Sequence, residues 1–270
     1  MTRSRGPAGE LADIARQTRA QLERVRESRW AGFDAPRPAT AAAAPPPRTT
    51  AARPSAPPAS LSPAPQPAGA PLPWDSLDAV AAAVAACTKC PLHATRNRTV
   101  PGEGDPRARL MFVGEAPGAD EDAQGRPFVG RAGQLLDKMI GAMGLSRGEV
   151  FIANVLKCRP PGNRDPQPLE AEACLPFLHA QLALVRPEVI CSLGKHSAQA
   201  LLGSKDPIGR LRGRFFQYRG VPLLPTFHPS YLLRSPGEKV TAWKDLQIVM
   251  KRLGLPAPAQ NPDPGVWGLR

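Results

Sequence analysis

No run of apolar residues in this 270-residue chain is long enough to span a bilayer, which takes about 20 in succession. The opening residues, MTRSRGPAGELADIARQTRAQ, lack the apolar centre of a secretory signal. No membrane role is therefore expected, and the protein reads as cytoplasmic. Cysteine is scarce too, with five residues at 87, 90, 158, 174 and 191. An odd, small number argues against a disulfide framework and turns attention to metal or cluster ligation. Carboxylates are the remaining shortage: 23 Asp and Glu stand against 35 Lys and Arg, a formal net charge of +12. That imbalance favours polyanionic partners such as nucleic acid. The excess is spread along the chain, so a basic tail alone does not account for it.

What the chain does have falls into blocks. Residues 35–73 are almost entirely Ala, Pro, Ser and Thr, a composition that cannot bury enough surface to order itself. A disordered linker is expected there. Before it, Leu11, Ile14, Leu22 and Val25 recur among Arg, Gln and Glu over residues 7–29, the pattern of a short amphipathic helix that is either a solvated arm or a docking element for a protein partner. The organisation is thus an N-terminal helix or arm over 1–34, a linker over 35–73, one folded domain over 74–255 and a tail over 256–270.

Inside the domain, apolar strand runs alternate with helical segments. RLMFVGE (109–115), VFIANVL (150–156) and EVICSLG (188–194) read as strands, and 131–143, 168–185, 195–202 and 238–253 as helices, with a hairpin through 209–227. This alternation predicts a three-layer α/β/α fold around a central, mainly parallel sheet. In such sheets ligands bind beyond the carboxyl ends of the strands. Gly114 and Glu115 close the first strand, Asn154 comes late in the second, and His228 follows the last. Each polar residue could instead cap a turn or fix a loop. Their coincidence at three strand ends marks one pocket. Phe128, in the loop GRPFVG, is either a core plug or a flat face on which a nucleobase stacks.

CTKC places Cys87 and Cys90 one turn apart, while Cys158 and Cys174 flank a Pro/Gly-rich loop. Four such residues can form a closed tetrathiolate site for an iron–sulfur cluster or zinc, and spacing does not choose between them. Cys191, inside an apolar strand, reads as a core residue.

Taken in order, GEAPGADEDAQGRPFVGRAGQLL, ANVLKCRPPGNR and TFHPSYLLRSP, together with the four cysteines, resemble the family 4 uracil-DNA glycosylases, the iron–sulfur branch of that superfamily. The resemblance runs from about Cys87 to Leu253. It implies a monofunctional, monomeric enzyme that flips uracil out of DNA and hydrolyses its N-glycosidic bond, the first step of base excision repair. It implies that Glu115 and His228 are catalytic, that Gly114, Ala116, Glu121, Phe128 and Asn154 bind the base, and that Phe128 stacks on it. Cys87, Cys90, Cys158 and Cys174 match the ligands of a [4Fe-4S] cluster. In the best-known branch of the superfamily an Asp stands where this chain has Ala116 and a Tyr where it has Gly118; family 4 shares both absences. The competing reading is a metal-stapled module that binds nucleic acid or docks a partner without chemistry.

These residue types suit the implied reaction. Breaking the bond leaves an oxocarbenium-like sugar and a uracil anion, so a carboxylate at Glu115 stabilises the cation and orients water, while an N–H of His228 stabilises the anion at O2. The Asn154 amide accepts from uracil N3–H and donates to O4, whereas cytosine presents the opposite pattern. Glu121 is expected near uracil C5, crowding out a thymine methyl. Leu232, Leu233 and Arg234 are expected to wedge the DNA helix and hold a phosphate, unless the leucines pack inward. Arg210, Arg212, Arg214 and Arg219 alternate along the expected hairpin, where they face DNA or guard the sheet edge.

Overall fold

The computed structural model describes residues 73–256. The expected helix over 7–29, the linker and the tail lie outside the described residues, apart from Pro73 and Pro256 at their edges. Six strands form one sheet: β1 (Glu103–Gly104), β2 (Leu110–Gly114), β3 (Phe151–Asn154), β4 (Val189–Leu193), β5 (Phe216–Tyr218) and β6 (Val221–Thr226). Their spatial order is β1-β3-β2-β4-β6-β5. The inner four are parallel, and β1 and β5 close the edges antiparallel. The fold is therefore the mainly parallel α/β sheet that the sequence pattern predicts.

Every residue of β2, β3 and β4 is buried, because helices cover both faces of the sheet. The helices are α1 (Leu77–Ala85), α2 (Ala119–Gln124), α3 (Arg131–Ala142), α4 (Pro168–Val185), α5 (Lys195–Leu202), α6 (Ile208–Leu211), α7 (Pro229–Arg234) and α8 (Lys239–Leu253). Side chains alternate along each strand, so Leu110 and Phe112 join the core under α3 and α8, while Met111 and Val113 join the core under α4 and α5. Among the described residues no helix is long and apolar enough to cross a membrane. The chain leaves β2 for β3 on one side and later reaches β4 on the other. A crevice opens beyond the carboxyl ends of the strands where the direction reverses.

The expected hairpin is shorter than its sequence pattern. Residues 208–211 form α6, and the hairpin proper turns at Arg219 and Gly220, both with positive φ (51° and 81°). Arg212 points inward: its guanidinium donates to Asp245 Oδ1 at 2.6 Å and Oδ2 at 3.0 Å, while Thr226 Oγ1 donates to the same buried carboxylate at 2.7 Å. Arg210 lies on α6, near Asp206 at 3.8 Å, and Arg214 lies over the Phe216 ring at 4.8 Å. The expected row of DNA-facing arginines is thus corrected, because Arg212 ties the end of α6 to α8 and Arg210 is not in the hairpin.

Candidate active site

The crevice forms a cavity of about 500 Å³, and its walls bring together Glu115, Ala116, Gly118, Glu121, Phe128, Asn154 and His228. Asn154, the last residue of β3, is 1% exposed, and neither its Oδ1 nor its Nδ2 has a hydrogen-bond partner. A buried amide with both groups unsatisfied is costly and calls for a ligand that completes it. Behind it stands Gly114, the parallel partner of Asn154 in the sheet. A Cβ there would come within 2.5 Å of Phe128 Cζ and would collide with Asn154 Oδ1. Only glycine lets ring and amide meet at this strand end.

Phe128 is 5% exposed and has φ 51°, an uncommon left-handed backbone for an aromatic residue. Gly133 of α3 permits this, since a Cβ there would run into the Phe128 carbonyl. The ring both joins the core and lines the cavity, 5.6 Å between centroids from the His228 ring. Core plug and cavity-facing ring were posed as alternatives, and the one side chain belongs to both the core and the cavity wall.

His228 is the N-cap of α7, with Pro229 at the first helical position. Its Nδ1 accepts from the Ser230 backbone N–H at 3.1 Å and lies 2.7 Å from Ser230 Oγ. A backbone N–H only donates, so Nδ1 is the acceptor and the neutral ring carries its proton on Nε2. Loss of hydration, aided by the Arg234 charge and opposed by Glu121, lowers its pKa to about 4. The ring is neutral at pH 7 and offers one N–H to the cavity. Gly194, with φ 91°, makes room for it, because a Cβ there would sit 2.8 Å from His228 Cβ.

Glu115 follows β2 at the cavity mouth. Burial raises its carboxyl pKa to about 7, the Asp165 charge adding to the rise and Lys195 opposing it. His196 Nε2 lies 3.4 Å from Asp165 Oδ2, and donor atoms of Glu115, Asp165 and His196 fall within 4.8 Å of one another. Asp165, Lys195 and His196 were not anticipated from sequence. Lys195 and His196 directly follow Gly194 at the end of β4, so the strand-end rule applied to that strand would have found them.

The family model described as the Uracil DNA glycosylase superfamily matches residues 101–247. The chain belongs to that superfamily. A Type-4 uracil-DNA glycosylase of Pyrobaculum aerophilum is 48% identical over 170 residues, 60% of this chain and 87% of the relative. One of Saccharolobus solfataricus is 44% identical over 188 residues, 66% and 87% of the two chains, and one of Thermotoga maritima is 47% identical over 161 residues, 59% and 84%. The chain falls in the type-4 group of the uracil DNA glycosylase superfamily.

Two further residues of this superfamily member have partners that the sequence did not indicate, and Glu121, which lines the cavity, has a structural task as well. Glu121 accepts from the backbone N–H groups of Gly118 (3.0 Å), Val129 (2.9 Å) and Gly130 (3.0 Å). Gly118 and Gly130 are the N-caps of α2 and α3, so one carboxylate caps two helices and pins the Phe128 loop to the first active-site turn. Leu232 is fully buried in the core, which corrects its expected place in a wedge; α7 packs this residue against the core cluster and turns Leu233 outward. Leu233 is 40% exposed, and Arg234 is exposed at the cavity rim. Replacing Leu233 with Ala is expected to weaken the KM for uracil in duplex DNA several-fold and leave single-stranded substrate nearly unaffected, since a wedge matters only where a stack must be held open. Equal effects on both substrates in steady-state assays would remove the wedge.

In this glycosylase-superfamily chain Cys87 and Cys90 are partly buried, Cys158 and Cys174 are buried, and none forms a disulfide. Cys90, Cys158 and Cys174 pack in one cluster around Leu92 and Leu156, and Arg96 donates to both the Cys158 sulfur and the Cys87 carbonyl. Cys191 is fully buried in β4, as its sequence context predicts.

Proposed function

We propose that the protein is a monofunctional uracil-DNA glycosylase that takes an extruded uracil into the strand-end cavity and hydrolyses its N-glycosidic bond. The observation that carries this reading is the unpaired amide of buried Asn154 beside the Phe128 ring. Uracil satisfies both amide groups at once, accepting from Nδ2 at O4 and donating N3–H to Oδ1, and it stacks on the ring. Cytosine would set donor against donor, at a cost of about 1–3 kcal/mol for each buried neutral group left unpaired. The Nε2–H of His228 is a neutral donor for the oxygen on which the leaving anion builds charge. Glu115, when ionised, stabilises the sugar cation and orients the attacking water. The names of the type-4 relatives support the same reaction.

The deciding assay presents matched oligonucleotides holding uracil, thymine or cytosine and cleaves abasic sites with alkali. Uracil-selective cleavage is expected; normal binding with uracil left intact would favour the non-catalytic module.

Glu115 also sets a pH dependence. Its working form is the carboxylate and its pKa is raised to about 7, so single-turnover excision should fall about tenfold per unit as pH drops below 7 and level off above it. His228 stays neutral down to about 4 and adds no second limb in that range. Asp165→Asn removes the neighbouring negative charge and should move the limb to lower pH. A profile flat from pH 5 to 8 would exclude the ionised carboxylate from the rate-limiting step.

Cys87, Cys90, Cys158 and Cys174 would hold the iron–sulfur cluster. The four thiols form no disulfide, Cys158 and Cys174 are buried, and Arg96 donates to Cys158 Sγ at 3.2 Å, a setting that fits a tetrathiolate site. The similarity to the type-4 relatives favours an iron–sulfur cluster over zinc. When bound, the cluster supplies a covalent cross-link between the CTKC segment and the chain that follows Asn154. The Val100 N–H donates to the Lys157 carbonyl at 2.8 Å across the same junction, while Asp122 ties the segment after CTKC to α2, accepting from the Asn97 backbone N–H at 2.9 Å and side-chain amide at 2.6 Å.

A further inference from the structure

The cysteine centre carries a cation, Arg96, that the excision chemistry does not use. Arg96 Nη1 donates to Cys158 Sγ at 3.2 Å and to the Cys87 carbonyl at 3.0 Å, and Nη2 donates to the Ala85 carbonyl at 3.0 Å. None of these partners is a carboxylate. Lys157, one residue before Cys158, is 1% exposed, and its ammonium meets only neutral oxygens: the Asn154 carbonyl at 2.9 Å and Gln181 Oε1 at 2.6 Å. Burial pushes its pKa down to about 7, so it is not a permanent charge at the cysteine centre.

Of the anionic groups at this centre, the guanidinium touches cysteine sulfur. Arg96 follows the CTKC segment and bonds two of the four cysteines, the sulfur of Cys158 and the carbonyl of Cys87. We propose that Arg96 is the charge-compensating, positioning residue of the cluster held by Cys87, Cys90, Cys158 and Cys174, through its hydrogen bond to the Cys158 sulfur. The inference rests on the reading that these cysteines hold an iron–sulfur cluster. Positive charge and N–H donors beside a ligating sulfur stabilise the more negative, reduced form and strengthen retention of the metal. Lys157, the residue before Cys158, donates to the carbonyl of Asn154, so one short segment carries a cysteine of the centre and the backbone support of the base reader.

The test uses the full chain, purified without oxygen, as wild type and as Arg96→Met and Arg96→Lys. Iron content and visible absorbance are measured first, then the reduction potential of the cluster and its rate of loss to a chelator. Arg96→Met is expected to shift the potential negative and to lose the cluster about tenfold faster. Arg96→Lys, which keeps the charge, should stay nearer the wild type. Unchanged potential and loss rate in Arg96→Met would overturn the proposal, as would an Arg96→Lys protein as displaced as Arg96→Met. A wild-type protein without iron would overturn the cluster reading itself, an outcome distinct from a cluster that ignores Arg96.

Discussion

Replacing Asn154 with Ala is expected to slow uracil excision about a hundredfold or more while leaving the thermal midpoint unchanged or slightly raised. The two halves of that expectation have one cause. In the folded chain both amide groups are buried and make no hydrogen bond, so truncation breaks none. It removes a desolvated polar pair that costs about 1–3 kcal/mol per group and leaves in exchange a small space open to the cavity. In the complex the same groups would meet N3–H and O4 of the base, and their loss takes away orientation and discrimination together. Single-turnover kinetics on uracil and cytosine substrates, run beside thermal melts, separate the cases. A midpoint lowered by several degrees with excision intact would make Asn154 a residue of the fold.

The strand-end residues were legible in sequence for a topological reason. Apolar runs with intervening helices can bury both faces only as a parallel sheet, and such a sheet places Gly114, Asn154 and His228 on one rim. What the pattern could not carry was the partner of each polar side chain. Arg212 looks like a surface charge until Asp245, 33 residues later, is brought beneath it. Glu121 sits in a run of carboxylates, ADED, and nothing local says that it alone turns back to cap two helix starts. Leu232 and Leu233 are chemically equal, and a helix too short to show a period decides which of them is buried. Asp165 lies in the Pro/Gly-rich loop between Cys158 and Cys174, and nothing local in that loop says that it borders the cavity.

Gly114→Ala is expected to be the most damaging single-methyl change in the site, lowering excision by about two orders of magnitude. The backbone does not resist alanine at Gly114, whose φ lies outside the left-handed region, so the obstacle is wholly steric. The new methyl would lie 2.5 Å from Phe128 Cζ and 2.7 Å from Cε2, against a ring that has little freedom to retreat. Its backbone is already in the left-handed region, its carbonyl is packed on Gly133, and the N–H groups of the next two residues are held by Glu121. On the other side the methyl meets the Asn154 amide, whose carbonyl is held by Lys157. Either the ring or the amide must leave its place, and both belong to the base-binding wall. Overpacking of this kind costs about 1–3 kcal/mol of stability, which a domain of this size tolerates. The variant should therefore fold and bind DNA through its rim while failing to seat the base, with the loss in kcat rather than in DNA affinity. Full activity in Gly114→Ala would mean that ring and amide can move apart by a methyl's width without consequence, and Phe128 would then lose its role as the platform.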